Sequence, residues 1–107
     1  MVEQVYLIDS HCHLHDQDFF APEKQLELLQ KAAENQVQKI VCIGTDHQDS
    51  LNAAGFVLQN PNYQLFWSYG IHPSECENAR PVVDFLKLEK PPIAIGEVGL
   101  DYHYGRD

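Results

Sequence analysis

Two histidines one residue apart, His11 and His13, follow an apolar run near the start of the chain. That run, Val5 to Asp9, is typical of a β-strand, in which successive side chains point to opposite faces. If the extended backbone continues, His11 and His13 share a face with Asp9, and Cys12 lies on the other face. Neutral imidazole nitrogens are common ligands of zinc and similar cations. The spacing therefore predicts the first part of a metal site.

A carboxylate near the other end of the chain is the second candidate. Glu97 lies within the apolar segment from Ile93 to Val98, which is predicted to be a strand and in which an unpaired charge is costly to bury. One interpretation is a structural ion pair, or a carboxylate that accepts hydrogen bonds from backbone amides. The other is a carboxylate that bridges metal ions in the cavity of His11 and His13, because a two-metal centre holds its ions about 3.5–4 Å apart.

Alternating strand and helix patterns position these residues. The predicted strands are Val5 to Asp9, Gln38 to Gly44, Gln64 to Gly70 and Ile93 to Val98, and the predicted helices are Glu23 to Gln36, Thr45 or Asp46 to Gln59, and Val82 to Leu88. Strands that begin at roughly 30-residue intervals are typical of βαβ units. Such alternation predicts an α/β fold with a parallel sheet that helices cover. In the first helix, a stripe of Leu26, Leu29, Ala33 and Val37 is predicted to face the core.

Two parallel-sheet architectures compete. A doubly wound nucleotide-binding fold places a glycine-rich turn after the first strand, whereas this chain has bulky histidines there. A (β/α)8 barrel places its chemistry at the C-terminal ends of its strands. The candidates lie at such ends, with His11 and His13 after the first strand, His72 after the third, and Glu97 and Asp101 at the fourth. The pattern favours the barrel.

The length sets the extent of that barrel. A complete barrel has eight strands and typically about 250 residues, and this chain has 107 residues and four predicted strands. We therefore expect residues 1–107 to form a single partial domain, the N-terminal half of a TIM (β/α)8 barrel with about four βα units. We expect it to be part of a longer protein, or a fragment.

Composition narrows the partners and the compartment. The formal net charge of −9 is opposite to that of a nonspecific nucleic-acid binder, although bound cations would offset part of it. The three cysteines, Cys12, Cys42 and Cys76, are widely spaced and odd in number, which predicts free thiols in a reducing cytoplasm. We expect no membrane association, because no apolar run approaches the roughly 20 residues of a membrane span.

Three motifs in register resemble those of the TatD family, metal-dependent hydrolases of the amidohydrolase-like barrel superfamily that are generally described as deoxyribonucleases. The motifs are Asp9-Ser10-His11-Cys12-His13-Leu14, Gly70-Ile71-His72-Pro73 and Ile95-Gly96-Glu97-Val98-Gly99-Leu100-Asp101-Tyr102. The resemblance covers essentially the whole chain and the first half of the family's length.

The resemblance implies a role for each matched residue. His11 and His13 correspond to metal ligands, Glu97 to a bridging and catalytic glutamate, and His72 to a catalytic or substrate contact near the scissile phosphate. It implies two divalent ions in the complete enzyme (zinc, magnesium or manganese), which activate water to cleave DNA. The family's other ligands lie on strands that this sequence does not contain, so we expect the chain alone to be inactive or very weakly active.

Two alternatives stay open, together with several weaker site candidates. Because a fold does not determine a substrate, an ester, lactone or amide is also compatible with this superfamily. A half-barrel without catalysis, which self-associates through its exposed sheet edges, belongs to another class.

Among the remaining histidines, His15 is predicted to have turned off the strand, His47 to lie on the surface at a helix start, and His103 to lie in the terminal segment.

Overall fold

The structure, a computed structural model, describes residues 5–74 and 87–100. Strands and helices alternate in these ranges. They are Leu7–Cys12 (β1), Pro22–Glu34 (α1), Val37–Ile43 (β2), His47–Gln59 (α2), Gln64–Tyr69 (β3) and Ala94–Ile95 (β4). The predicted helix at residues 82–88 lies mostly outside the described residues, as do Cys76, Asp101 and His103.

The four strands form one parallel sheet in the order β1-β2-β3-β4. Each strand therefore lies beside the strand that precedes it in the sequence, and no reversal of the strand order occurs among the described residues. A doubly wound sheet contains such a reversal, and its ligand site lies there. In a (β/α)8 barrel, consecutive strands are likewise neighbours in the sheet. Because the strands are parallel, the C-terminal ends of all four lie at the same edge.

Two strand boundaries differ from the prediction and matter for the site. β1 extends to Cys12, so His11 lies within the strand. β4 contains only two residues, and Glu97 lies just beyond the strand instead of inside it. The backbone hydrogen bonds explain this difference, because the Gly96 N–H still donates to Tyr69 whereas the Glu97 N–H donates to Gly44, at the end of β2. The chain thus crosses over the end of β3 after Gly96.

The core lies between the sheet and the two helices. Its buried members include Leu29 on α1, Cys42 on β2, and Trp67 and Tyr69 on β3. In the predicted stripe, Leu29 is buried, and Val37, the first residue of β2, packs against the core. The prediction is wrong at Leu26, which is 57% exposed, and at Ala33, which is also exposed. The buried face is instead formed by Gln25, Leu28, Leu29 and Ala32.

The buried face of α1 includes a polar side chain. Gln25 is buried, and its Nε2 donates to the carbonyl oxygen of Leu14 at 2.9 Å. The buried amide is therefore satisfied, and it ties α1 to the loop that follows the histidine pair. Hydrophobicity alone does not predict a glutamine at this place in the core.

The helix ends follow their local sequence signals. Pro22 occupies the first turn of α1, where its missing N–H is not needed. Asp46 caps α2 by accepting a hydrogen bond from the Asp49 N–H at 2.7 Å. Neither helix in the described part of the chain is long and apolar enough to cross a membrane.

Apolar side chains remain exposed at both outer strands of the sheet. Leu7 is 52% exposed and Ile8 61% exposed on β1, and Ile95 is 48% exposed on β4. Buried strands of a complete barrel cover such side chains. The described sheet therefore leaves an open apolar surface at each edge.

Candidate metal centre

Three histidines surround the carboxylate of Glu97 at the C-terminal edge of the sheet. Glu97 Oε2 lies 3.8 Å from His11 Nε2 and 3.7 Å from His13 Nε2. Glu97 Oε1 lies 3.9 Å from His72 Nε2. The structure thus brings together all four residues that the sequence singled out for metal binding and catalysis.

Three of these side chains are arranged as a ligand set for one cation. One donor atom from each of His11, His13 and Glu97 lies within 4.8 Å of the other two. Metal–ligand distances of about 2.0–2.2 Å place the donor atoms of a tetrahedral site roughly 3–4 Å apart. A small closure of these side chains would therefore give a compatible geometry, and the residues fit a divalent ion.

The His13 ring is held in the tautomer that a metal ligand needs. Its Nδ1 lies 3.1 Å from the carbonyl oxygen of Ile43. A carbonyl oxygen only accepts hydrogen bonds, so the proton is assigned to Nδ1, and the lone pair on Nε2 faces Glu97. Metal-bound histidines are commonly fixed in this way.

His72 has the opposite arrangement. Its Nδ1 accepts the backbone N–H of Ser74 at 3.1 Å and lies 2.8 Å from the Ser74 hydroxyl. In the neutral ring the proton must then be on Nε2, the atom that faces Glu97. The backbone N–H of His72 donates to the Thr45 carbonyl oxygen, at 2.6 Å, which ties this loop to the end of β2. His72 is therefore oriented as a hydrogen-bond donor to an anionic oxygen, whereas His13 presents a lone pair.

Glu97 is positioned by its backbone and by the close approach of Gly70. The Glu97 N–H donates to Gly44 at 3.1 Å, and the Ser68 hydroxyl donates to Gly96 at 2.8 Å. A Cβ atom at Gly70 would overlap the Gly96 carbonyl group and the Glu97 nitrogen. Ser50 on α2 fixes Gly70, because its hydroxyl lies 3.3 Å from both the nitrogen and the oxygen of that residue. Residue 70 therefore has to be glycine for Glu97 to reach the histidines.

A buried His–Asp pair supports the loop behind the metal ligands. His15 Nε2 lies 2.9 Å from Asp49 Oδ1, and the His15 side chain is fully buried. Burial by itself raises the pKa of Asp49, but hydrogen bonds from His15 and Thr45 outweigh it and hold the pKa below its ordinary value. His15 is thus a structural partner of Asp49. Sequence reasoning missed Asp49 in this role, because a contact between residues 34 positions apart leaves no periodic signal.

His47 and Asp9 lie near the site but outside the proposed ligand set. His47 is the first residue of α2, but it is half-buried and packs edge-on against Tyr69 with ring centroids 6.4 Å apart, so its predicted surface position is wrong. Asp9 is exposed, and its carboxylate accepts the His11 backbone N–H at 3.1 Å.

Cys12 lies on the other side of β1 from the histidines, as the strand alternation predicted. It packs against the core and is the direct cross-strand partner of Cys42. A hydrogen bond with Cys42 lowers the pKa of the Cys12 thiol to about 7, although burial opposes this change. The same hydrogen bond, together with burial, raises the pKa of Cys42.

Comparison with protein families and curated proteins identifies one group of relatives. The family model described as TatD related DNase matches residues 8–107. The chain is 32% identical to the uncharacterized metal-dependent hydrolase BU355 of Buchnera aphidicola, a match that covers 96% of this chain and 42% of that protein. It is 33% identical to the uncharacterized metal-dependent hydrolase YcfH of Escherichia coli, over 94% of this chain and 38% of that protein.

Solved structures give the same fold. YjjV of Escherichia coli, described as a TatD homologue, is 30% identical, with a TM-score of 0.62 over 90% of this chain and 38% of that chain. A TatD family hydrolase from Entamoeba histolytica is 21% identical, with a TM-score of 0.68 over 91% of this chain and 38% of that chain. The predicted fold, the first part of a TIM barrel, is thus confirmed. The chain spans about two fifths of the length of the curated relatives it matches.

Proposed function

Because this chain belongs to the TatD-related DNase family, we propose that it supplies the first part of a metal-dependent hydrolase site that cleaves the phosphodiester bonds of DNA. The position of the Glu97 carboxylate between His11, His13 and His72 is the observation that carries the proposal. A carboxylate has two oxygens that can each bind a cation, so Glu97 would be able to hold two divalent ions in the complete site.

In this proposal, three side chains bind metal and one contacts the phosphate. His11, His13 and Glu97 would hold the divalent ions through their lone pairs, and bound ions would polarise a phosphate oxygen and lower the pKa of a water molecule. His72 donates its Nε2 proton toward a phosphate oxygen, because Ser74 occupies its other nitrogen. The difference in tautomer between His13 and His72 supports these separate roles. Zinc, magnesium and manganese all remain candidates, and the imidazole ligands favour a transition metal.

The surroundings of the site have room for a substrate group. A cavity of about 430 Å³ beside His13 is lined by Phe19, Phe20, Thr45, Asp16 and Asp49. The two acidic side chains would repel a bare phosphate. Bound cations at the adjacent ligands would offset this repulsion. Phosphodiester binding in this proposal therefore depends on the metal ions.

Metal binding is the first test, because it does not require turnover. Manganese(II) is titrated into the protein, and the free ion is measured by electron paramagnetic resonance. We expect Glu97→Gln to weaken binding by about 10-fold or more, since it removes a charged ligand from the set. Glu34→Gln, at an exposed acid at the end of α1, is the matched control and should bind as the wild type does. Equal affinity in all three proteins would refute the proposed ligand role.

Substrate class is tested with the manganese-loaded protein and the dinucleotide dTpdT. Close approach of the phosphodiester to bound manganese broadens its ³¹P resonance. We expect broadening with the wild type, less with His72→Ala, and none above the free-ion control with Glu97→Gln. Metal binding without any ³¹P broadening, accompanied by hydrolysis of p-nitrophenyl acetate, would point instead to an ester, lactone or amide hydrolase.

A non-catalytic assembly module is the second candidate, and the exposed apolar side chains favour it. Leu7 and Ile8 on β1 and Ile95 on β4 lie at the two open edges of the sheet. Two copies that pair through these edges would cover both surfaces and satisfy unpaired strand groups. Sedimentation analysis is the test: a concentration-dependent dimer that Ile8→Lys abolishes would support pairing. A protein that sediments as a monomer at every concentration tested would contradict it.

A further inference from the structure

Cys12 and Cys42 occupy directly opposed positions on neighbouring strands. They are register partners in the β1–β2 ladder, and both pack into the same core cluster, so their side chains lie on one face of the sheet. Both are free thiols. Neighbouring strands are about 4.7–4.9 Å apart, which is inside the usual Cα separation of about 4.4–6.8 Å in disulfides.

From this geometry we propose that Cys12 and Cys42 form a redox modification site, in which a disulfide between β1 and β2 repositions the histidines beside it. Cys12 lies between His11 and His13 in the sequence. Cys42 directly precedes Ile43, whose carbonyl oxygen holds the His13 ring. The new bond would join the same two strand ends that determine where the imidazoles point.

The exposure of the two thiols gives the order of the reaction. Cys12 is half-buried and can reach a small-molecule disulfide such as oxidised glutathione, whereas Cys42 is fully buried. The Cys12 sulfur attacks one sulfur of the reagent, its S–S bond breaks, and the first thiol leaves. Cys42 then attacks the Cys12 sulfur and displaces the second thiol. The pair loses two electrons and two protons, and the reagent is reduced to two thiols that carry them.

The cross-link itself is the first measurement. Trypsin does not cleave before proline, so Arg80-Pro81 stays intact and the peptide 40–87 contains both Cys42 and Cys76. The experiment therefore uses Cys76→Ser, in which a link between peptides 1–24 and 40–87 can only join Cys12 to Cys42. We expect this linked pair after treatment of the folded protein with oxidised glutathione, and its loss after reduction. Its absence, or its formation only in urea, would overturn the proposal.

The effect on the histidines is measured without metal, so that it does not depend on the proposed hydrolase function. Imidazole ¹H–¹³C resonances of Cys76→Ser are recorded before and after oxidation and assigned with single His→Gln variants. We expect the His11 and His13 signals to move and to return on reduction, with smaller changes at His72, which follows β3. Unchanged His11 and His13 signals in the cross-linked protein would refute the repositioning. Failure of manganese binding in the reduced protein would count against the hydrolase proposal and leave this result intact.

Discussion

The ring of His13 is anchored through Nδ1 to the carbonyl oxygen of Ile43, 3.1 Å away, and so presents Nε2 to Glu97. The contact joins the end of β1 to the end of β2. It fixes both the direction of the imidazole and the nitrogen that carries the proton. A ligand that is oriented before the ion binds loses less rotamer entropy on binding.

This anchoring predicts unequal roles for the two histidines of the pair. His11 has a side chain that is 57% exposed, against 39% for His13. We expect His13→Ala to weaken manganese binding by about 10–100-fold, and His11→Ala to weaken it less. Isothermal titration at constant pH compares the two variants. A larger loss in His11→Ala would show that anchoring does not determine ligand strength here.

Gly70 is predicted to be intolerant of any side chain. A Cβ at this position would overlap the peptide group between Gly96 and Glu97, which is backbone and cannot turn aside. We expect Gly70→Ala to lower the free energy of unfolding by about 1–3 kcal/mol and to weaken manganese binding as well. Urea denaturation and metal titration measure the two effects.

Gly55 offers a matched control for that substitution. It lies in α2, and a Cβ there would meet no atom within 4 Å apart from its chain neighbours and the adjacent backbone of the same helix. Gly55→Ala is expected to raise stability by roughly 0.5–1 kcal/mol, because alanine loses less backbone entropy in a helix. Comparable destabilisation in both variants would contradict the close approach at Gly70.

The pair of His15 and Asp49 predicts a stability that depends on pH. The pKa of Asp49 is lowered in the folded protein from its ordinary value of 3.8, so the unfolded chain binds this proton more readily than the folded one does. The pair therefore stabilises the fold above about pH 4, and the contribution is lost as the pH falls through the lower folded value. We expect Asp49→Asn to cost about 1–3 kcal/mol at pH 7 and progressively less below pH 4.

Urea denaturation at a series of pH values from 3 to 7 tests this prediction. Asp18→Asn, at an exposed acid in the loop before α1, serves as the control and should change stability little at any pH. A difference between wild type and Asp49→Asn that stays constant over the whole series would be inconsistent with a lowered pKa.

Two leucines on α1 test which face of the helix is buried. Leu29 is fully buried, whereas Leu26 is 57% exposed. Truncation of a buried leucine leaves a cavity, so we expect Leu29→Ala to cost about 2–5 kcal/mol. Leu26→Ala should stay within about 0.5 kcal/mol of wild type. Thermal and urea unfolding measure both variants. A larger loss of stability in Leu26→Ala than in Leu29→Ala would contradict the structure.

Local patterns were sufficient for the elements and for the candidate ligands. The alternation of apolar and helical segments predicted a parallel α/β sheet, and Pro22 and Asp46 marked helix starts that the structure has. Both kinds of signal act within a few residues, through strand alternation and helix-end hydrogen bonding. Two-residue spacing likewise placed His11 and His13 on one face and Cys12 on the other.

Only the tertiary structure decided how these parts meet. The crossing of the chain after Gly96, which takes Glu97 out of β4, depends on a hydrogen bond to Gly44. The tautomer of His13 likewise depends on a contact with a neighbouring strand, through the carbonyl oxygen of Ile43 on β2. The sequence by itself determined which residues lie near the strand ends, because strand and helix patterns are local, but it did not determine the strand boundaries themselves. Their mutual geometry was decided by strand order, which brings distant segments together and leaves no period in the sequence.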